Sequence, residues 1–66
     1  MQVYEAVRAY IDARGIKQVA LAKNTGIPQQ TLNAMLNGKR TMYAEDLGLI
    51  CRALEVSADT FINEVE

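Results

Sequence analysis

The sequence predicts an all-α fold, a compact domain of five helices. Apolar residues recur at helical spacing along most of the chain, glycine and proline punctuate them at intervals suited to short helices, and no period-2 alternation is long enough to make a sheet.

The first helix carries Val3, Val7, Tyr10 and Ile11 on one stripe and runs for about three turns before Gly15, with Ile16 packing it onto the rest. Tyr4 lies off that stripe. The second helix spans Lys17 to Thr25, with Val19, Leu21 and Ala22 on roughly one face and Ala22 small enough to let another helix approach closely. Gly26 follows its last turn, where a left-handed residue ends a helix without a Cβ penalty. Pro28 suits the first turn of a third helix, Pro28 to Leu36, because its φ is already near helical and its missing N–H would have gone unpaired. Leu32, Met35 and Leu36 share the inward side of that helix.

Asn37-Gly38-Lys39-Arg40 then makes a polar turn. The fourth helix runs from Tyr43 to Leu54 through Gly48, whose cost of about 1 kcal/mol relative to alanine points to a close packing contact. Ser57 is the expected N-cap of a short fifth helix ending near Glu64, with Val56 and Phe61 placed to form a hydrophobic staple.

A chain of 66 residues suits one small domain, which buries only about 60% of its unfolded surface and is stable by a narrow margin. The single cysteine, Cys51, rules out an internal disulfide, and its neighbours Leu47, Ile50 and Leu54 mark it as buried apolar filler. The sequence contains no histidine, no metal-ligand pattern and no nucleophile beside a base, so neither catalysis nor a cofactor is expected. No apolar run approaches the ~20 residues of a membrane span and no signal-peptide pattern is present, which predicts a cytoplasmic protein.

The formal net charge of −1 argues against a polyanionic ligand, but its distribution argues for one. From Ala13 through Ala44 stand Arg14, Lys17, Lys23, Lys39 and Arg40 with no acid, a local charge of +5; the remainder holds all eight acids against Arg8 and Arg52, or −6. Screening over about 8 Å at physiological salt means that a ligand at the basic segment responds to the nearby charges. The third helix adds Gln29, Gln30, Asn33 and Asn37 on its outer side or at its ends. Amides donate and accept together, which matches the N6/N7 edge of adenine in the major groove.

Gln18, Leu21-Ala22, Gly26-Ile27, Leu32 and Met35, followed by Asn37-Gly38-Lys39, resemble the helix-turn-helix of the lambdoid phage repressor and Cro family, the XRE-like regulators. Leu47, Ile50, Cys51, Ala53, Leu54, Val56, Ser57 and Phe61 resemble that family's fourth and fifth helices, so the similarity covers nearly the whole chain. The resemblance implies a lambda-repressor-like DNA-binding domain over residues 1–66, its helix-turn-helix at about 17–36, with the third helix in the major groove.

By the same resemblance the base contacts fall to Gln29, Gln30, Asn33 and Ala34, the last offering only a methyl to a thymine methyl. Phosphate contacts fall to Gln18, Lys17, Asn37, Gly38, Lys39 and Arg40, whose cations release counterions and supply affinity rather than specificity. Thr31 could serve either face, and Lys23 fits a solvated lysine equally well. The chain departs from the family at Pro28, which replaces the usual small polar cap, and at Met42-Tyr43, which replace a proline and a serine. Met42 and Tyr43 are expected to be exposed, as ordinary surface or as an interface for a protein partner.

The implied function is sequence-specific binding of double-stranded DNA by a transcriptional regulator, a small repressor of phage, prophage or plasmid type. One such module makes few contacts, so a homodimer on a palindromic operator is expected. Its interface would draw on Phe61, Ile62 and Val65, although Phe61 also suits the monomer's core. The alternative is a protein-interaction module, an antitoxin or anti-repressor, with secondary DNA binding.

Overall fold

The computed structural model describes residues 2–62, and these hold five helices: α1 (Val3–Ala13), α2 (Gln18–Thr25), α3 (Gln29–Leu36), α4 (Ala44–Leu54) and α5 (Asp59–Ile62). The expected end of the last helix at Glu64 and the interface candidate Val65 lie outside the described residues. No helix among the described residues is long and apolar enough to cross a membrane.

The core is assembled from one stripe per helix. Val7 and Ile11 of α1, Leu21 of α2, Leu32, Met35 and Leu36 of α3, Ile50 of α4 and Phe61 of α5 are all essentially inaccessible to solvent. Each such side chain contributes about 1.5–3 kcal/mol through removal from water, the main force holding helices this short in place. The α2 helix packs on both α3 and α4, and α1 packs on α3 and α5. Tyr10 meets Phe61 edge-on, ring centroids 5.4 Å apart at 84°, fixing α5 against α1. With Phe61 in the core, only Ile62 of the described interface candidates is exposed.

Two inward assignments from the sequence are corrected. Val19 is 58% exposed, whereas Leu21 and Ala22 are buried. At 100° per residue Val19 stands roughly 200° from Leu21, on the opposite side, and the true stripe is completed by Thr25, one turn after Leu21. Gly48 is also exposed, and a Cβ built on it meets nothing within 4 Å, so it has no packing partner.

The helix ends account for most of the remaining geometry. The Glu5 carboxylate accepts from the Gln2 N–H at 2.7 Å and the Asp46 carboxylate from the Tyr43 N–H at 3.0 Å, so α1 and α4 each begin on an acid that reaches back to the residue before the helix. Tyr43 therefore precedes α4 rather than opening it. Likewise α5 starts at Asp59, and Ser57 contributes its carbonyl, which accepts from the Thr60 N–H at 3.1 Å.

At their C-termini α1, α3 and α4 share one pattern. A left-handed residue donates to the carbonyl three back and the next residue to the carbonyl five back, as in Gly38 to Met35 and Lys39 to Ala34. In α4 the left-handed residue is Glu55, at φ 59° the only non-glycine with positive φ among the described residues.

Cys51 is buried in α4, and desolvation pushes its thiol up from the ordinary range. A raised thiol favours the folded state at neutral pH, and that contribution disappears as pH climbs above about 8.5, where the unfolded chain's thiol ionises first. Wild type is expected to lose more stability than a Cys51→Val variant when denaturant melts are compared between about pH 8 and pH 10.

Glycine substitutions should act with opposite signs at different sites. Gly48→Ala is expected to stabilise by about 0.5–1 kcal/mol, and Glu55→Gly by up to about 1 kcal/mol, each read from the denaturant midpoint at constant slope. Gly38→Ala should cost about 1–2 kcal/mol, because φ there is 76° and the new Cβ would approach Tyr4 Cζ to 2.6 Å.

Candidate nucleic-acid interface

The turn between α2 and α3 is held from both sides. Gly26 adopts φ 79°, and its N–H reaches the Ala22 carbonyl at 2.9 Å. Thr25, buried at the end of α2, donates its hydroxyl to that same carbonyl at 3.1 Å and accepts from the Ile27 N–H at 3.2 Å. The hydroxyl thus bridges helix end and loop, while Ile27 is drawn into the core. Thr25 went unassigned in the sequence; its legible signal is a hydroxyl residue beside a helix-ending glycine, where side chain to backbone bonds are common.

Pro28 stands immediately before α3 at φ −55° and ψ 140°, and its carbonyl accepts from the Leu32 N–H at 2.9 Å. It is therefore the residue before the helix and not part of the first turn, and it provides no side-chain cap. The N–H groups of Gln29, Gln30 and Thr31 consequently lack helical partners. At the start of α2 the arrangement is similar: Lys17 is the exposed N-cap residue without a side-chain cap, and Gln18, half-buried, opens the helix. Neither helix has an acid in its first turn, in contrast to α1 and α4.

Burial of Leu32, Met35 and Leu36 leaves Gln29, Gln30 and Asn33 exposed, with Thr31 and Ala34 half-buried at the edges. The candidate base readers thus share the open side of α3. After the helix Gly38, Lys39 and Arg40 are exposed, and the Tyr4 ring lies against the Cα of Gly38, bracing the loop. That role of Tyr4 was not legible from a stripe analysis, because its partner is a loop glycine.

Asn37 is placed differently from Lys39 and Arg40. Its side-chain oxygen accepts from Arg8 Nη1 and its side-chain nitrogen donates to Asn33 Oδ1, so its amide is engaged within the protein. The backbone N–H groups of Asn37, Gly38 and Lys39 donate to Asn33, Met35 and Ala34 carbonyls. The side chains of Lys39 and Arg40 are exposed cations on this loop.

One cation of the basic segment, Arg14, is engaged elsewhere in the fold. Arg14 stacks over the Tyr10 ring, 3.6 Å from its centroid, beside the α1–α5 contact. Lys17 immediately precedes α2, and Lys39 and Arg40 stand in the loop after α3. Met42 is half-buried and packs against the core, which corrects its expected exposure, whereas Tyr43 is 65% exposed as expected.

Comparison with known proteins finds a match to the helix-turn-helix family over residues 7–61. Comparisons with curated proteins and with solved structures find no match. The matched span begins within α1, contains α2, the Gly26 turn, α3 and α4, and ends at Phe61 in α5. The chain belongs to the XRE-like helix-turn-helix family and is a DNA-binding transcriptional regulator.

Proposed function

We propose that this chain is a small repressor of phage, prophage or plasmid type, a single helix-turn-helix domain that binds a palindromic operator as a homodimer. The observation that carries the reading is the exposed row of Gln29, Gln30 and Asn33 on an α3 whose opposite side is entirely buried. In the major groove, Gln29 and Gln30 are the principal base readers, each good bidentate contact discriminating by about 1–3 kcal/mol. Ala34 supplies an apolar contact from the edge of that face. Gln18 and Lys17 at the start of α2, and Lys39 and Arg40 after α3, meet phosphates on either side.

Size supports pairing. The domain's longest dimension is 28 Å, less than the roughly 34–36 Å between half-sites one helical turn apart, so reading two half-sites takes two copies. Exposed Ile62, at the end of α5, belongs to the pairing surface in this reading.

Selection from random duplexes tests it. Wild type is expected to enrich a two-fold symmetric motif that a Gln29→Ala/Gln30→Ala variant loses while keeping its fold; failure of folded wild type to enrich any motif at low salt would sink the proposal. Replacing Lys39 and Arg40 by alanine should weaken binding to all sequences alike and reduce the slope of log affinity against log salt by roughly 1 for each cation removed.

A further inference from the structure

Arg8, Asn37 and Asn33 form a chain of side-chain hydrogen bonds across the seam between α1 and α3. Arg8 Nη1 donates to Asn37 Oδ1, and Asn37 Nδ2 donates to Asn33 Oδ1. The direction of this chain cannot reverse. A guanidinium has donors only and does not deprotonate, so Asn37 must turn its oxygen toward Arg8 and its nitrogen toward Asn33. Asn33 must then meet that nitrogen with its own oxygen. Which way an asparagine amide points is ordinarily decided by its partners, and here one arginine decides it for both. Asp12, with Oδ2 3.8 Å from Arg8 Nε, steadies the guanidinium from its own helix.

Asn33 is exposed and lies one turn beyond Gln29 and Gln30 on the open side of α3. A free asparagine grips adenine by accepting from N6 while donating to N7. In this chain Oδ1 is held toward Asn37, one turn further along the helix, so the outward group is the Nδ2 donor.

We propose that Arg8, acting through Asn37, locks Asn33 as a hydrogen-bond donor toward DNA, so that the base it meets is selected for acceptors, guanine over adenine. Guanine presents O6 and N7, both acceptors, whereas adenine's N6 donor would face another donor. Arg8 is a positioning residue that touches no base. The inference deepens the base-reading function above and rests on it.

Random-duplex selection with the full chain, run in parallel for wild type, Asn33→Ala, Arg8→Met and Arg8→Lys, separates the two. Wild type is expected to prefer guanine at one position per half-site, and Asn33→Ala to lose that preference alone. In Arg8→Met both amides are released, and the guanine-to-adenine ratio there should fall by roughly tenfold, within the range of one bidentate contact, while the Gln29 and Gln30 positions hold. Arg8→Lys, still a pure donor, should retain guanine. A guanine preference untouched by Arg8→Met, or a motif untouched by Asn33→Ala, would overturn the inference and leave the base-reading function standing. Absence of any wild-type motif would overturn both.

A measurement on the free protein is independent of DNA. The side-chain amide signals of Asn33 and Asn37 in a ¹⁵N–¹H spectrum should shift together in Arg8→Met and much less in Arg8→Lys, with backbone signals showing an intact fold. Unchanged amide signals in Arg8→Met would overturn the inference.

Discussion

The burial of Leu32, Met35 and Leu36 is the constraint on which the interface depends. The α3 helix has eight residues, fewer than the ~12–15 at which an isolated helix becomes even marginally stable in water. Its existence and its rotation about its own axis are therefore set by tertiary packing, with α2 on one side and α1 on another. Once three apolar side chains are driven fully inside, the angular positions of Gln29, Gln30 and Asn33 follow without further adjustment. Polar side chains placed this way are held by a core rather than by a loop, the condition for presenting hydrogen-bonding groups in a fixed register.

The same constraint shows what was legible in the sequence. Leu32, Met35 and Leu36 fall at i, i+3 and i+4 with no large apolar residue opposite, only the small Ala34, so one periodicity marks both the buried face and the exposed one. Gly26 and Pro28 located the turn for similarly local reasons, although Pro28 sits one step outside the helix. Three positions differ from the local pattern, each for its own reason. Val19 is close to Leu21 along the chain but about 200° from it around the helix, and the outward position of Gly48 excludes a packing role. Met42 looked exposed because the residues that cover it come from elsewhere in the fold.

Long-range polar contacts were invisible for a deeper reason. Arg8 and Asn37 are separated by 29 positions, and nothing in either local pattern couples them. The sequence placed Asn33 and Asn37 as independent contacts to a base and a phosphate, whereas folding joins them to each other and to α1. Tyr4 against Gly38 is the same kind of relation, a loop conformation fixed by a ring from a distant helix.

Charge placement ties stability to binding. Glu5 and Asp46 each reach back to an N–H before α1 and α4, complementing the positive end of the helix dipole, an interaction of about 0.3–1 kcal/mol apiece at exposed sites. The α2 and α3 helices forgo it: no acid occupies either first turn and no side chain caps either start. An acid there would stabilise the isolated domain but, in the proposed binding mode, would cancel the positive ends of the two helices turned toward DNA and set a carboxylate against phosphate. The acid-free stretch from Ala13 to Ala44 is therefore more than a surplus of cations. It leaves the first N–H groups of α2 and α3 without a side-chain partner, open to an anion, so the domain gives up a small increment of its own stability that such a ligand can return.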